Sequence, residues 1–432
     1  MKKHRNAFIS LLLLLALMLS LVGCMAPSID GLVIPGPDPE HGEALNLLAD
    51  VEKFDVTEAA ITNEFIKNQM SLSLQLFTQS GKETGNNNLL VSPLSIQIAL
   101  AMVANGAEGK TLTEVESLLG GEIGIEQLNE YLYTYVNCLP STEKAKLEIA
   151  NSIWFKNKDF IANEDFLRIN KSYYDSEIYS AYFDQNTVDI INHWVDENTD
   201  GMIKEVLKVI PEEAVMYLIN AIVFDAEWMS QYAEHNVSSG TFYGSDGTEY
   251  DAEMMFSEEN TYIELENAIG FKKSYRGDYS FVALLPDENI TIDELIVSLD
   301  SEKLLNAVSN PSYDKRILEK LPKFEYDYEA NLKPILMALG MEQAFDRDKA
   351  DLSGIGQGYG NLLISQAIHK TFISVAEQGT KAGAVTMIEI NDATEELDPR
   401  EVIEITLNRP FVYMIADNQT NLPIFIGTLT SF

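Results

Sequence analysis

The chain has 432 residues, with 67 aspartate and glutamate residues against 30 lysine and arginine residues, which gives a net charge of −37 at pH 7. Nucleic acids bind through lysine and arginine contacts to phosphate, so this charge argues against a nucleic-acid partner and against electrostatic docking on anionic lipid. The 46% hydrophobic content and the chain length allow a large core.

The N-terminus predicts export and lipid attachment. Residues 1–5 carry three basic side chains, and the apolar stretch 8–22 that follows is short for a membrane span of ~20 residues. It ends at Gly23 and Cys24, a pattern that resembles a bacterial lipobox, in which a signal peptidase cuts before a cysteine that carries lipid. A plain secretory signal with a chance cysteine is the alternative. The pattern therefore predicts a signal peptide over residues 1–23 and an extracytoplasmic protein, lipid-anchored to a bacterial membrane or cell surface.

The mature chain is predicted to be a tethered single domain without a disulfide. Removal of residues 1–23 takes away three basic residues and no acidic ones, so the net charge falls from −37 to −40. With Cys24 lipidated, Cys138 is the one remaining cysteine and has no partner within the chain. Proline and glycine are frequent near the start of residues 24–55, which predicts a flexible tether, and residues 56–432 show no second linker.

Helices are predicted early in the domain and strands later. The helical segments are residues 63–79, 93–105 and 111–119. Ser92 and Pro93 favour a helix start, because serine caps helix N-termini and proline fits the first turn. The predicted strands are residues 147–155, 215–224, 279–285, 402–407, 411–415 and 424–430. Helices first and strands later are typical of the α+β class.

Signals for an enzyme or a cofactor are absent from the sequence. The alternating glycines of residues 354–360 do not follow a predicted strand, which argues against a nucleotide cradle. No nucleophile elbow or H-E-x-x-H motif is present. The histidines lack metal-binding spacing to one another or to a cysteine: His4, His41, His193, His235 and His369. No cofactor, metal ion or catalytic residue is therefore predicted.

The most informative segment is E-Q-G-T-K-A-G-A-V-T at residues 377–386. It begins a strand-like alternation in which one face is small and then apolar: Thr380, Ala382, Ala384, Thr386, Ile388 and Ile390. The opposite face is mixed and partly charged, and the acidic residues 391–399 that follow indicate an exposed loop. We interpret the segment as a strand that is held in solvent and is paired later. An ordinary edge strand is the alternative.

Several separated blocks resemble one protein family. They are N-L-L-V-S-P-L-S (88–95), N-A-I-V-F (220–224) followed by Trp228, L-P-K-F (321–324), L-G-M (339–341), D-L-S-G-I (351–355), H-K (369–370), the segment 377–386, R-P-F (409–411) and P-I-F-I-G (423–427). In this order and spacing, over about residues 56–432, the blocks are similar to those of the serpins. The resemblance implies a serpin-like α+β fold with a large central, mostly antiparallel sheet, eight to nine helices and an exposed reactive loop at about residues 377–400.

The resemblance also implies a mechanism, in which the loop is bait for a serine protease. The protease cuts the loop and forms an acyl-enzyme, and the freed loop inserts as a new strand in the large sheet, which traps the protease. Such a protein is a suicide substrate and not an enzyme. The hinge residues implied are Glu377, Gly379, Thr380, Ala382, Ala384 and Thr386. Gly383 and Val385 replace the small residues more usual in the family, but both lie on the outward face of the expected strand.

By the same resemblance, a buried polar cluster lies beneath the opening of the sheet. Its members would be Ser92, Ser95, Asn220 and His369, and Trp228 would lie near the point where insertion begins. Buried polar residues of this kind are also common as satisfied core groups.

Counting 17 residues from Glu377, as the family pattern does, places the cut between Ala393 and Thr394. Cuts after Ile390 or after Thr394 are alternatives, because the segment that leads to R-P-F is several residues longer than usual. A small residue at the cut favours an elastase-like or subtilisin-like protease. The acidic loop disfavours proteases with acidic clefts.

The partners predicted are a target serine protease, in a covalent complex, and the membrane, through lipid on Cys24; the protein is expected to be a monomer. Two other functions remain open. A non-inhibitory serpin would be cleaved as a plain substrate and would act as a surface binding protein. A lipid-anchored solute-binding lipoprotein would need two similar α/β lobes, which the sequence does not show.

Overall fold

The computed structural model describes residues 43–85, 87–157, 160–358, 361–380 and 398–432. Within these ranges the chain forms nine α-helices and nineteen strands, which are arranged in three larger sheets and one two-stranded sheet. The predicted α+β class is confirmed.

Seven of the nine helices in the described ranges begin with a side-chain cap that accepts a backbone hydrogen bond. They are α1 (Asn63–Thr84), α2 (Pro93–Ala104), α3 (Gly109–Leu119), α4 (Ile125–Cys138), α5 (Glu164–Tyr174), α6 (Gln185–Asn198), α7 (Ile292–Ser298), α8 (Ser301–Ser309) and α9 (Leu332–Ala338). The hydroxyl of Ser92 accepts a hydrogen bond from the backbone N–H of Ser95 at 3.4 Å, and Pro93 occupies the first turn of α2. The three helices predicted from the sequence are therefore present, with ends that differ by a few residues.

The strands range in length from two to twelve residues. In chain order they are β1 (Leu45–Asn46), β2 (Leu89–Val91), β3 (Ala145–Lys156), β4 (Ile161–Ala162), β5 (Glu177–Ala181), β6 (Met216–Glu227), β7 (Val237–Tyr243), β8 (Glu249–Glu259), β9 (Tyr262–Leu265), β10 (Ala268–Ser274), β11 (Tyr279–Pro286), β12 (Lys315–Pro322), β13 (Phe324–Asn331), β14 (Gly356–Gln357), β15 (Gln366–Ala376), β16 (Gly379–Thr380), β17 (Glu401–Thr406), β18 (Phe411–Asp417) and β19 (Pro423–Leu429). All six strands predicted from the sequence are among them.

A seven-stranded sheet, here called the large sheet, organises the molecule. Its order is β1-β5-β3-β6-β16-β15-β13, and a second sheet (β2-β19-β18-β11-β10-β9) and a third sheet (β17-β12-β8-β7) complete the framework. Within the large sheet the pairings are antiparallel, except that β3 pairs with β5 and β6 pairs with β15 in parallel. A large, mostly antiparallel sheet is therefore confirmed.

Helix α2 lies in the core between the large sheet and the second sheet. All twelve of its residues are buried, and it packs against β3, β6 and β19. A helix without a polar face must be covered on every side, and the apolar surfaces of two sheets provide that cover. The helix therefore supports the large sheet from beneath, at the point where β6 and β15 meet.

The residues before α1 contact the body of the protein. Leu45 and Asn46 pair with β5 at the edge of the large sheet, and the N–H of Leu47 donates to the carbonyl of Ile178 at 2.8 Å. Leu48 is buried. The tether predicted for residues 24–55 therefore extends too far, because its last leucines pair with and pack on the domain. The predicted signal peptide, Cys24 and the rest of the tether lie outside the described residues.

None of the helices in the described ranges combines the length and the apolar character needed to cross a bilayer.

Candidate functional site at the seam of the large sheet

The boundary between β6 and β15, here called the seam, is closed along one half and parted along the other. In the closed half the two strands pair directly in parallel, from Tyr217 opposite Gln366 to Ile222 opposite Thr371. In the parted half β16 lies between them, with Thr380 opposite both Ala226 and Val375. The two residues of β16 therefore fill the open end of the seam.

The side chain of Thr380 faces the core. Thr380 is 1% exposed, and its hydroxyl forms a hydrogen bond of 2.5 Å with the hydroxyl of Tyr275. The ring of Tyr275 stacks on the indole of Trp228, with centroids 4.2 Å apart and planes 11° from parallel. Burial raises the pKa of the Tyr275 hydroxyl, so this group stays protonated at neutral pH. The open end of the seam is thus lined by two aromatic rings and one hydroxyl.

The turn that leads from β15 into β16, residues 376–379, is here called the hinge turn. The backbone N–H of Trp228 donates to the carbonyl of Gln378 at 2.8 Å, and its indole N–H donates to the carbonyl of Ala376 at 2.9 Å. The backbone N–H of Tyr232 donates to the carbonyl of Glu377 at 3.0 Å. Three successive carbonyls of the hinge turn are therefore held by the segment that follows β6.

An ion pair fixes the side chain of the hinge turn. The Lys323 ammonium lies 2.9 Å from a carboxylate oxygen of Glu377 and 2.9 Å from one of Glu253. Partial burial alone would raise the pKa of the Glu377 carboxyl, but the hydrogen bond and the charge of Lys323 outweigh it, and the pKa is lowered. The hinge turn is thus attached to the neighbouring strands through its backbone and through the side chain of Glu377.

A row of polar side chains crosses the closed half of the seam. Asn151 lies opposite Asn220, and Asn220 lies opposite His369, on the adjacent strands β3, β6 and β15. The Asn220 amide N–H₂ donates to the carbonyl oxygen of Asn151 at 2.5 Å and to the hydroxyl of Ser95, and His369 Nδ1 lies 2.5 Å from the carbonyl oxygen of Asn220. These residues, with Ser92, are here called the seam cluster.

The hydrogen bonds of His369 define its protonation state. Its Nε2 accepts from the backbone N–H of Ser92 at 3.1 Å, so Nδ1 must carry the proton and donate to Asn220. Complete burial lowers the pKa of His369 to about 3. The ring is therefore neutral at physiological pH, and it ties β15 both to β6 and to the start of α2.

Comparison with known proteins identifies the family. A family model described as "Serpin (serine protease inhibitor)" matches residues 67–432. The chain belongs to the serpin family. The crystal structure of tengpin, a thermophilic serpin, in its native state is 48% identical, covers 90% of this chain and 100% of its own, and superposes with a TM-score of 0.86.

Two further comparisons extend this result. Tengpin in its latent state is likewise 48% identical, but with a TM-score of 0.76 over 87% of this chain and 100% of its own. An uncharacterized serpin-like protein of Thermococcus kodakarensis is 28% identical over 97% of this chain and 98% of its own length. The serpin described here is therefore closer in structure to the native than to the latent form of tengpin.

The structure of this serpin places the four residues expected beneath the sheet together and Trp228 apart from them. Ser92, Ser95, Asn220 and His369 all belong to the seam cluster. Trp228 lies beside the hinge turn at the other end of the seam. The eight residues that separate it from Asn220 correspond to ~26 Å along a strand, so the seam has two distinct polar sites.

The hinge differs from its sequence-based interpretation in one respect. We expected a strand held in solvent from residue 377 onwards, whereas Gly379 and Thr380 are buried and paired on both sides. The reason is that Trp228 and Tyr232 hold the hinge turn over the seam. The remaining hinge residues and both residues of the expected scissile bond lie outside the described residues: Ala382, Ala384, Thr386, Ala393 and Thr394.

Several site residues were not found from the sequence. Asn151 joins the seam cluster because β3 and β6 pair in register, and Tyr275 reaches Thr380 from the second sheet. Tyr232 and Lys323 act on the hinge turn from distant segments of the chain. Of these residues, Lys323 lies in the L-P-K-F block, one of the blocks that resemble the family. The others carry no local pattern that separates them from ordinary core residues.

Gly379 has no room for a side chain. A Cβ atom on this residue would lie 2.0 Å from the carbonyl oxygen of Ala226 and 2.8 Å from the Cα of Glu227. We expect Gly379→Ala to expel β16 from the seam, at a cost of about 1–3 kcal/mol. Hydrogen exchange of the backbone at residues 376–380 should then increase about tenfold or more. Gly81→Ala is the control, because the nearest atoms to its Cβ are 3.8 Å away; unchanged exchange in Gly379→Ala would contradict the tight fit.

No group of three or more potential metal-binding side chains occurs within the part of the chain that the structure describes.

Proposed function

We propose that this serpin is a suicide-substrate inhibitor of serine proteases with small, apolar specificity pockets, of the elastase-like or subtilisin-like kind. One observation carries the proposal: Gly379 and Thr380, near the start of the loop segment, already lie between β6 and β15, while the same two strands pair directly farther along. Among the described residues, the seam is thus a strand-shaped site that β16 occupies at its open end.

The register of the pairing supports this proposal, because it sets how much more chain the seam would receive on insertion. Thr380 lies opposite Ala226 on β6 and opposite Val375 on β15, both in antiparallel orientation. If the strand continued without a bulge, residue 389 would lie opposite both Tyr217 and Gln366. These two residues are themselves the last pair of the closed seam. One continuous strand that ends near residue 390 would therefore replace every direct β6–β15 pair.

Such an insertion is energetically favourable. Each inserted residue exchanges a single parallel pairing for antiparallel pairing on two sides, and antiparallel ladders are slightly more stable per residue. About ten additional hydrogen bonds at ~1 kcal/mol each would contribute on the order of 10 kcal/mol. The inward positions at the open end are small, and the apolar residues Ile388 and Ile390 would be buried last, at ~1.5–3 kcal/mol each.

The same register assigns a partner to the seam cluster. Residue 386 would lie opposite both Asn220 and His369, and Thr386 has the even-numbered, core-facing position that Thr380 has. Insertion would separate the imidazole from the Asn220 carbonyl, and the Thr386 hydroxyl would be available to both. The cluster thus allows the seam to open without leaving buried polar groups unpaired.

The loop would react with the protease as an ordinary peptide substrate does. The protease serine oxygen attacks the carbonyl carbon of the residue before the cut, the peptide bond breaks, and the amine of the residue after it leaves with a proton. The acyl-enzyme ester then remains on the loop that inserts. Ala393–Thr394 is the bond favoured by the family count, with cuts after Ile390 or Thr394 as alternatives; all three lie beyond residue 389. After the favoured cut the 39-residue fragment 394–432 would remain bound through β17, β18 and β19.

The experiment that tests this proposal mixes the protein with an elastase-like protease and examines the products on a denaturing gel. We expect a stable covalent band in near-equimolar yield and a released fragment whose mass identifies the cut. A protease whose catalytic serine is replaced by alanine is the control and should give no such band. The nicked protein should also melt at a much higher temperature than the intact one.

Clean cleavage, with full protease activity and an unchanged melting temperature, would contradict the proposal and indicate a non-inhibitory serpin that acts as a surface binding protein. The serpin fold differs from the two similar α/β lobes that a solute-binding lipoprotein requires.

We also propose that the protein acts outside the cytoplasm, anchored by lipid on Cys24. The basic start of the chain, the apolar stretch 8–22 and the Gly23-Cys24 pair support this location. An anchored inhibitor would meet proteases that approach the surface of the cell that carries it.

A further inference from the structure

A cluster of buried and half-buried polar side chains, four of them ionisable, lies directly behind the hinge turn. It consists of Tyr232, Ser257, Glu259, Lys273 and Glu319, and it is here called the hinge cluster. Oε1 of Glu319 accepts hydrogen bonds from the Tyr232 hydroxyl at 2.5 Å and from the Ser257 hydroxyl at 2.6 Å. The Lys273 ammonium donates to Ser257 Oγ at 3.0 Å and to Glu259 Oε1 at 2.7 Å. Two carboxylates and one ammonium thus share one small site.

The hinge cluster is costly to bury. Glu319 is fully buried and Lys273 is 1% exposed, and Glu319 Oε2 has no hydrogen-bond partner among the described residues. Burial raises the pKa of Glu319 to about 7, against the opposing effects of Lys273 and of the hydrogen bonds from Ser257 and Tyr232. Glu259 repels the negative charge and raises the pKa further. A purely structural role would be served better by apolar residues, which avoid these costs.

The hinge cluster touches the residues that hold the hinge turn. Tyr232 binds Glu319 through its hydroxyl and binds the Glu377 carbonyl through its backbone N–H. The Lys273 ammonium lies 4.3 Å from the ring centroid of Tyr232 and 5.6 Å from that of Trp228. Trp228 and Tyr232, the two residues that bind the hinge turn, therefore both lie against the hinge cluster.

We propose that Glu319 is a positioning residue for loop insertion, which acts through Tyr232, and that its ionisation makes the rate of insertion depend on pH. The proposal rests on the inhibitory function proposed above. Insertion begins from a state in which Thr380 already lies in the seam, and that state requires a firmly held hinge turn.

The direction of the pH dependence follows from hydrogen-bond strength. A carboxylate accepts the Tyr232 and Ser257 hydrogen bonds as charge-assisted bonds, whereas the neutral acid is a weaker acceptor. Above pH 7 the ionised Glu319 holds Tyr232, and the hinge turn with it, more tightly. Below pH 7 the hold weakens and Thr380 leaves the seam more often. We expect insertion to be about five-fold slower at pH 5.5 than at pH 8.5.

Other ionisable groups near Glu319 do not produce this transition. Those that face it are Lys273 from β10, Glu259 from β8 and Tyr232 from the segment after β6. Burial and the carboxylate of Glu319 hold the pKa of Tyr232 well above its usual value, so Tyr232 does not titrate in this range. Lys273 and Glu259 form an ion pair, in which the ammonium lies 2.7 Å from the carboxylate oxygen.

The test compares the full-length protein with Glu319→Gln across pH 5.5–8.5. Glutamine keeps the acceptor oxygen and the shape but cannot ionise. The rate of loop insertion is measured with one protease on both proteins. At each pH the wild-type rate is divided by the rate of Glu319→Gln. The pH dependence of the protease and of His369 cancels in this ratio. We expect a ratio near one at pH 5.5 that rises about five-fold, with a midpoint near pH 7.

Two further variants complete the design. Tyr232→Phe removes the hydroxyl that Glu319 holds, so its own pH transition should also disappear; it replaces Glu319→Gln if that variant fails to fold. Glu302→Gln removes an exposed carboxylate that is paired with Lys67, and it should retain the wild-type transition. A flat ratio for Glu319→Gln, or a full transition in Tyr232→Phe, would overturn the proposal.

A second measurement separates this proposal from the inhibitory function. Hydrogen exchange of residues 228–232, corrected for intrinsic rates, needs no protease. Protection in the wild type should increase about five-fold from pH 5.5 to 8.5, and it should stay constant in Glu319→Gln. If no covalent complex forms, the proposed function fails while this change in protection still supports the positioning role. Inhibition with no difference in protection between the two proteins retains the function and overturns the positioning role.

Discussion

Replacement of Thr380 by arginine is expected to convert this protein from an inhibitor into a substrate. Thr380 is 1% exposed and faces Tyr275 and Trp228 at the open end of the seam. A guanidinium at this position would lose its hydration among aromatic rings, at a cost of several kcal/mol. Since each 1.4 kcal/mol slows a step about tenfold, insertion should be slowed 100-fold or more, and the protease would hydrolyse the ester first.

The measurement is the fraction of protein found in covalent complex at increasing ratios of inhibitor to protease. The wild type should form mostly complex, whereas Thr380→Arg should give a few per cent and be cleaved at an unchanged rate, because the bait residues are untouched. Thr380→Ser keeps the hydroxyl that meets Tyr275 and serves as the control, with an expected yield near that of the wild type. Equal trapping by Thr380→Arg would contradict the register in which the side chain of residue 380 stays buried in the seam during insertion.

The elements of the fold could be predicted from the sequence wherever the chemistry that determines them is local. Ser92 and Pro93 define the start of α2 because a capping hydroxyl and a preset backbone angle act within one turn. The six predicted strands exist because runs of alternating or apolar residues have few other stable conformations in a large domain.

The position of β16 could not be predicted in this way. Gly379 and Thr380 look like the start of an exposed segment, and their burial depends on contacts with β6 and with Trp228, about 150 positions earlier in the chain. Local alternation shows which residues share a face. It does not show whether a neighbouring pair of strands is parted to receive them.

The hinge cluster shows a second limit of prediction from the sequence. Lys273 and Glu319 lie on β10 and β12, each next to a second charged residue, and charged residues of a strand are expected on its wet face. Both are buried here because the two strands belong to different sheets that meet behind the hinge turn. Only the tertiary arrangement brings the ammonium and the carboxylates together.

The N-terminal segment differs from these examples, because the sequence did carry a local signal for packing there. The proline and glycine content of the segment outweighed that signal in the prediction. Proline and glycine dominate the early part of residues 24–55 and favour a tether. The cluster Leu45, Leu47 and Leu48 within the same range is apolar enough to pack, and it pairs with β5. These leucines place the end of the flexible segment before residue 45.

Acidification is expected to destabilise the native protein through His369. The pKa of this imidazole is about 3 in the native state, because of burial, and near 6.5 in an unfolded chain. Between these values the unfolded chain binds a proton that the native protein does not, so the free energy of unfolding falls as the pH falls. The contribution is fully present above pH 6.5 and is lost towards pH 3. It amounts to about 3 kcal/mol between pH 6.5 and pH 4.

The expected loss of stability at low pH has its cause in the two hydrogen bonds that the neutral His369 ring makes. An imidazolium has no lone pair for the Ser92 N–H, and it would place a charge in a fully buried site between β6, β15 and α2. Protonation therefore weakens the closed half of the seam first.

Denaturant midpoints at pH 7 and pH 4 test this expectation, with His369→Gln as the variant and His235→Gln, at an exposed position, as the control. His369→Gln should be less stable than the wild type at pH 7, because it lacks the ring that spans the seam. Its stability should fall about 3 kcal/mol less than that of the wild type when the pH is lowered to 4, since the carboxylates that also titrate are common to both. His235→Gln should follow the wild type at both values. Equal losses in the wild type and His369→Gln would mean that the buried imidazole takes up its proton without opening the seam, and the neutral ring would then not be what holds β15 to β6.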